Sequence, residues 1–385
     1  MISYGHQSIN QEDINAVVEV LKSEHLTQGT MVPKFEQAIC DYTTSEYAVA
    51  VNSATSALHI ACKALGLQKG DILWTSPITF VASANCAKYC HADVDFVDIN
   101  PDTFNIDISS LKNKLEEAKR KDNLPKILIP VHLGGASCEM SSIKALADQY
   151  GFHVIEDASH AIGGKYKTFP IGSCKYSDIT IFSFHPVKIM TTGEGGIATT
   201  NNNQIAETMK LLRSHGITRQ EALMEKESEG SWYYEQIELG YNYRMTDIQA
   251  ALGISQLKRL DDFVSRRHEI VSYYGEVLVD YSVKSQYVPE NCYSGSHLYI
   301  IRLMLDKIKK SRLRIFNEMR SEGIGVNVHY IPVHLQPYYQ RMGFKQGDYP
   351  KAEEYYQQAL TLPLYPDMTS QQVEQVTQTL ITVIQ

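Results

Sequence analysis

The sequence predicts an α/β fold, with a mostly parallel central sheet in a large domain followed by a smaller C-terminal α+β domain. Three observations carry this. Between residues 47 and 200 short apolar runs alternate with helical patterns, the rhythm of parallel strands joined by covering helices. After residue 246 the strands become fewer and more widely separated. A chain of 385 residues is long enough for a second core, since single cores stop growing near this size. The boundary is expected near residue 262, giving domains 1–262 and 263–385.

Taken in order, Asn10 caps a first helix in which Ile14, Val17, Val18 and Leu21 recur at i, i+3, i+4 and i+7, predicting an apolar face along them. It ends before Leu26-Thr27-Gln28-Gly29, and a second helix covers Pro33 to Tyr42. Strands are expected at Tyr47–Val51, Ile72–Thr75, Val94–Val97, Ile127–Val131, His153–Glu156, Ile179–Phe184 and Gly196–Thr200. The charged stretch Arg219 to Gly230 reads as an exposed loop or lid. One long helix is expected from Thr246 to about Arg267, then strands at Leu298–Leu303 and Val326–Val328.

Composition narrows the function. A formal net charge of -8 argues against a nucleic-acid partner, because phosphate backbones select clustered Lys and Arg. No apolar run approaches the roughly 20 residues a membrane-spanning helix needs, and the start MISYGHQSIN has no basic end followed by an apolar stretch. A cytoplasmic protein is expected. Seven cysteines, an odd number scattered along the chain, read as reduced thiols. Cys86 and Cys90 have no second Cys/His pair at metal-ligand spacing, so no metal is expected. No G-x-G-x-x-G follows a strand, which weakens an NAD-dependent reading.

Ligands of an open parallel sheet collect beyond the carboxyl ends of its strands, and three strand exits carry unusual residues. Val51-Asn52-Ser53-Ala54-Thr55-Ser56 runs from a strand into small polar residues at a helix start, which suits an anion and equally a plain helix cap. Val154-Ile155-Glu156-Asp157-Ala158-Ser159-His160 ends a buried strand in two carboxylates and a histidine. Such a carboxylate needs a cation or a protonated ring nitrogen, unless Asp157 only caps a helix. Phe182-Ser183-Phe184-His185-Pro186-Val187-Lys188 places a lysine among apolar residues close to Gly193, Gly195 and Gly196, where desolvation makes an amine nucleophilic toward carbonyls. An anion cradle, an acid for a ring nitrogen and an amine for an aldehyde together match pyridoxal 5'-phosphate (PLP).

Asn52-Ser53-Ala54-Thr55, Thr79-Phe80-Val81-Ala82, Glu156 to Ala161, Ser183 through Lys188 to Gly196, and Gly240-Tyr241-Asn242-Tyr243-Arg244-Met245 occur in an order that closely resembles the DegT/DnrJ/EryC1/StrS family of PLP-dependent sugar aminotransferases. The resemblance spans nearly the whole chain and implies an aspartate-aminotransferase-like fold (fold type I). It implies that Lys188 bonds the cofactor's aldehyde and moves the proton, and that Asp157 keeps the pyridine nitrogen protonated. Phe80 would stack on the ring and His160 would lie near its phenolic oxygen. Ser183, Ala54 and Thr55 would hold the phosphate, joined by Asn242 from a neighbouring subunit in a homodimer with shared active sites. Tyr4, Glu24, His25, Leu26, Thr27, His329 and Tyr330 would line a nucleotide-sugar site. Within the family these segments are most similar to an enzyme of the pseudaminic-acid type, which aminates C4 of a UDP-linked 4-keto-6-deoxy-N-acetylhexosamine with L-glutamate as the usual donor. Arg213 and Arg244 are the candidates for the donor carboxylate. The alternatives are amination of another nucleotide-linked 3- or 4-keto-sugar, a PLP-dependent sugar dehydratase, in which histidine replaces the lysine kept here at 188, and an NAD-dependent sugar oxidoreductase.

Overall fold

The computed structural model describes residues 1–385. Its main sheet has seven strands in the order β1-β9-β8-β5-β4-β2-β3. These are β1 (Tyr47–Val51), β2 (Ile72–Thr75), β3 (Asp93–Phe96), β4 (Ile127–Ile129), β5 (His153–Asp157), β8 (Ile179–Ser183) and β9 (Gly196–Thr200). The small strands β6 (Lys165–Tyr166) and β7 (Phe169–Pro170) form a separate hairpin. In the main sheet β9 alone runs antiparallel, between β1 and β8, and the other neighbouring pairs are parallel. Helices α3 (Ala54–Ala64), α4 (Ala82–Tyr89), α5 (Ile108–Arg120), α6 (Met140–Tyr150) and α7 (Asn203–Arg213) pack with it. Their apolar residues close on fully buried strand residues such as Val49, Leu73, Ile129 and Ile181, as crossover connections require. The mostly parallel α/β architecture expected from the alternation is therefore present.

The N-terminal helices depart from the sequence reading in one respect. Asn10 caps α1 (Gln11–Leu21) through a reciprocal bond with Asp13, but the helix turns Asp13 and Val20 inward, leaving Ile14 and Leu21 about half exposed. The reason is a polar anchor. Asp13 is buried beneath α8 (Asp247–Leu257), where its carboxylate accepts from Gln256 Nε2 at 2.7 Å and pairs with Arg259, and a buried carboxylate without such partners is costly. Helix α2 (Met31–Thr43) lies against α8 as well.

The single helix expected from Thr246 to Arg267 is two helices, α8 and α9 (Leu260–Leu278). Arg259 leaves helical geometry between them, at φ -110° and ψ 7°, and points its guanidinium at Asp13. Residue 262 lies inside α9. Strands β10 (Ile217–Thr218) and β11 (Glu235–Gln236) pair around the mostly exposed 219–234 segment. In the C-terminal region β12 (Val283–Ser285), β14 (Tyr299–Leu303) and β15 (Ala359–Leu362) form a three-stranded antiparallel sheet, while β13 (Cys292–Tyr293) joins the β6–β7 hairpin. Helices α10 (Arg312–Ser321) and α13 (Ser370–Ile384) cover that sheet, and the short helices α11 (Pro337–Gln340) and α12 (Pro350–Gln358) connect it. Residues 326–328 are not a strand, contrary to expectation; Asn327 makes only an isolated bridge to Thr361.

The extreme N-terminus crosses to the C-terminal core. Ile2 is buried there and exchanges backbone bonds with Gly323 and Gly325, each 2.7 Å. Two residues on, the Tyr4 carbonyl accepts from Leu364 N–H at 3.0 Å. This crossing sets Tyr4 over the ends of the large sheet.

Candidate active site

A cavity of about 520 Å³ lies at the carboxyl ends of β1, β5 and β8, walled on the far side by Tyr4 and residues 327–330. This is where ligands of open α/β sheets sit. Among its lining residues are Ala54, Thr55, Phe80, Asp157, His160, Ser183 and Lys188, together with Tyr4, His329 and Tyr330.

The cradle comes from the start of α3. Ser53 caps the helix by accepting from Ser56 N–H at 3.1 Å, and the N–H groups of Ala54 and Thr55 have no acceptor within the chain. Free N–H groups at a helix start attract an anion. Gly196 lets β9 pass tightly behind them, since a Cβ there would stand 2.4 Å from Ala54 N.

Asp157 ends β5. Its Oδ2 accepts from Ser83 Oγ at 2.6 Å and its Oδ1 from Ser159 N–H at 3.1 Å, two bonds that fix the orientation of the carboxylate. The neighbouring Glu156 is spent on structure, accepting from Ser177 Oγ at 2.5 Å and lying 2.8 Å from His132 Nε2.

Lys188 sits in the turn after β8, accessible along the cavity it lines. Desolvation by the surrounding protein lowers its pKa to about 8, while the Asp157 carboxylate pulls the other way. At neutral pH an appreciable fraction of the amine is therefore unprotonated, as a nucleophile toward carbonyls requires.

Five aromatic rings, Tyr4, Phe80, His160, His329 and Tyr330, line the rest of the cavity. Burial first, and then the charge of Lys188, holds the His160 ring well below the usual histidine pKa, so the ring is neutral. Gly134 N–H donates to its Nδ1 at 3.3 Å, which leaves the proton on Nε2, 3.2 Å from the Tyr330 hydroxyl. Burial and Lys188 also push His329 down to about 3; its Nδ1 lies 2.9 Å from Thr361 Oγ1, and its ring centre is 5.3 Å from that of Tyr4. Phe80 is 59% exposed on the cavity wall, 6.3 Å from Tyr330 between ring centres.

Other residues singled out from the sequence are not in this cavity. Glu24, His25, Leu26 and Thr27 are exposed, and the segment is tied to the start of α8 through Leu26 O and Thr27. Asn242 is exposed as well, its carbonyl accepting from Asn52 Nδ2 at 3.4 Å. Arg213 is committed elsewhere, to the Glu36 carboxylate and the Ala50 carbonyl, because burial beside β1 demands partners for its charge. Arg244 bridges Val51 through its main chain and does not reach the cavity. Thr79, Ser159, His185, Glu194 and Asn327 do line it without having been assigned a role, and Ser83 stands directly behind Asp157. Thr79 and Ser83 flank Phe80 at i, i+4 spacing, which in the sequence alone looks like ordinary helix capping.

An anion cradle, a carboxylate oriented by two donors and a desolvated amine around one cavity define an enzyme that handles a phosphorylated, carbonyl-bearing group through an amine. The DegT/DnrJ/EryC1/StrS aminotransferase family matches residues 7–381, and the chain belongs to that family; it is a sugar aminotransferase. It is 39% identical over 386 residues to the UDP-4-amino-4,6-dideoxy-N-acetyl-beta-L-altrosamine transaminase of Campylobacter jejuni, covering 100% of this chain and 98% of that one. It is 40% identical to the spore coat polysaccharide biosynthesis protein SpsC of Bacillus subtilis, covering 97% and 95%. Among solved structures, Helicobacter pylori PseC, an aminotransferase involved in the biosynthesis of pseudoaminic acid, superposes with a TM-score of 0.91 at 30% identity, covering 100% and 99%. The sugar aminotransferase Spr1654 of Streptococcus pneumoniae, solved in its PLP form, gives 0.88 at 31%, covering 99% and 98%.

Proposed function

We propose that this chain is a PLP-dependent aminotransferase that moves an amino group from L-glutamate to C4 of a UDP-linked 4-keto-6-deoxy-N-acetylhexosamine, the substrate type of pseudaminic-acid biosynthesis. The observation that carries the reading is the single cavity shared by Lys188, Asp157 and the Ala54–Thr55 cradle. The donor set fits the cofactor: free N–H groups and the Thr55 and Ser183 hydroxyls for a phosphate, the Asp157 carboxylate for a protonated ring nitrogen, Lys188 Nζ for an aldehyde and Phe80 for a ring face. When bound, PLP supplies an aldehyde that takes up an amine and a cationic ring that withdraws electrons from the adjacent carbon.

The chain's own groups divide the work. Lys188 Nζ takes the proton from the donor's α-carbon and delivers one to the sugar carbon that receives nitrogen. Its lowered pKa suits it to both directions near neutral pH. Asp157, oriented by Ser83 and Ser159, would hold a positive ring nitrogen in place. His160, a neutral donor through Nε2, fixes the Tyr330 hydroxyl, and with Tyr4 and His329 this wall would receive the sugar. Glu24 to Thr27 and Asn242 lie outside one chain's cavity and are proposed to act in the neighbouring subunit's site, in a cytoplasmic homodimer with shared active sites. Residues 1–262 are proposed as the cofactor-binding part and 263–385 as the small domain.

The test is a panel of amino donors and nucleotide-linked 3- and 4-keto-sugars, read by product mass and by NMR of the aminated carbon. Glutamate with the UDP-linked 4-keto-6-deoxy-N-acetylhexosamine should give the highest kcat/KM and a 4-amino product. Preference for a 3-keto-sugar or another nucleotide would reassign the substrate.

A further inference from the structure

The Ser83 hydroxyl is completely buried and donates to Asp157 Oδ2 at 2.6 Å. A hydroxyl has one proton, and Asp157 Oδ2 at 2.6 Å is a much closer acceptor for it than the Phe80 carbonyl at 3.4 Å, so that proton is committed to Asp157. Thr79 Oγ1 lies 2.8 Å from the same Ser83 oxygen and must therefore be the donor of that pair. Both side chains are nearly inaccessible to solvent, Thr79 at 2% and Ser83 at 0%, so water does not replace either bond. The result is a directional chain, Thr79 to Ser83 to Asp157, wrapped around the first turn of α4 on either side of Phe80. Hydrogen bonds in such chains polarise and strengthen one another when buried.

From this geometry we infer that Ser83 is a positioning residue for the ring nitrogen of the cofactor, and that Thr79 acts through it. The inference rests on the PLP reading above. Ser83 fixes the rotation of the Asp157 carboxylate and concentrates its negative charge. Thr79 orients Ser83, leaving the other lone pairs of Asp157 for the ring N–H. One five-residue segment thereby places Phe80 for the face of the ring and, by way of Thr79 and Ser83, tunes the partner of its nitrogen.

The experiment uses the full-length protein loaded with PLP carrying ¹⁵N in the ring, and compares wild type, Ser83→Ala, Thr79→Val, the double variant and Asp157→Asn. The ring ¹⁵N shift by solid-state NMR and the PLP dissociation constant are measured. Wild type should give the protonated-ring shift and Asp157→Asn the neutral-pyridine limit, with Ser83→Ala between them. Ser83→Ala should also weaken PLP about 10- to 100-fold, the range for losing a hydrogen bond to a charged group. Thr79→Val should move both readouts the same way by a smaller amount, and the double variant should be no worse than Ser83→Ala, because Thr79 has nothing to act on without Ser83. A Ser83→Ala protein with the wild-type ¹⁵N shift and a dissociation constant within twofold would overturn the inference while leaving the PLP reading intact. Thr79→Val supplies the same two readouts should Ser83→Ala fail to fold, and wild-type values there would overturn it equally. Wild type that takes up no PLP would remove the PLP reading and the inference together.

Discussion

Lys188 and Asp157 face one cavity with opposed effects on the lysine: desolvation lowers its pKa to about 8, and the Asp157 carboxylate resists that shift. Asp157 ends β5 and Lys188 lies in the turn after β8, the adjacent parallel strand, so the main sheet and that turn together set their spacing. An amine left without the carboxylate would be harder to protonate when the reaction needs its proton back. A carboxylate without a nearby cation would be costly to keep ionised.

Stability should register the strained lysine. Its folded pKa of about 8 lies below the ordinary lysine value of 10.5, so between those pH values the unfolded chain binds the extra proton and stability rises with pH. Below pH 8 the penalty is fully present. Cofactor-free Lys188→Met should therefore be more stable than wild type at pH 7 by roughly 2–3 kcal/mol, allowing for cavity water. The gain should shrink steadily toward pH 10.5 in denaturant titrations; a pH-independent difference would show that Lys188 is not desolvated in the fold.

Asp157→Asn retains the shape of the side chain and removes the charge. At saturating cofactor it should still load with PLP yet lose about 10²- to 10³-fold in kcat, the range for deleting one preorganised electrostatic partner. Steady-state rates matching wild type would take Asp157 out of the mechanism.

Arg267 supports the site from below. It is fully buried, and its NH1 donates to Leu364 O at 2.8 Å and His297 O at 3.2 Å. Leu364 in turn holds Tyr4, and the His297 ring lies 4.6 Å from that of His160. Arg267→Met orphans these carbonyls but also removes a desolvated cation whose Nε and NH2 have no acceptor, so it should cost about 1–2 kcal/mol in chemical denaturation. Arg267→Lys should restore little, since the shorter lysine side chain does not carry its ammonium to the position from which NH1 reaches these carbonyls. Wild-type stability in Arg267→Met would show that the carbonyls find other donors.

If Asn242 serves the neighbouring subunit's site, Lys188→Ala and Asn242→Ala proteins should complement each other. Random reassociation gives half heterodimers, each with one intact site of two, hence about a quarter of wild-type activity. No recovery after verified subunit exchange would place Asn242 outside the shared site.

The sequence was most readable where local pattern and burial agree. Tyr47–Val51, Ile72–Thr75 and Gly196–Thr200 occupy the bounds their apolar runs predict, because their environment on both faces is apolar. It was least readable where a distant polar partner decides. The face of α1 is chosen by Asp13 meeting Arg259, 246 positions along the chain, and periodicity carries no trace of that pair. The same pairing breaks the helix expected through 246–267. At the cavity, the strand exits at 52–55, 157–160 and 183–188 stand out because small, acidic and basic residues are unusual at the ends of apolar strands. Ser83 and Thr79 do not, since a serine and a threonine at a helix start look like ordinary caps. Only the fold shows that their hydroxyls run to Asp157.

The most direct measurement is borohydride reduction of PLP-reconstituted protein, followed by proteolysis and mass spectrometry of the labelled peptide. One phosphopyridoxyl group per chain should be found on Lys188, with the visible band lost on reduction and no label in Lys188→Ala. Wild type that stays colourless after reconstitution, or carries the label on a different lysine, would contradict the account.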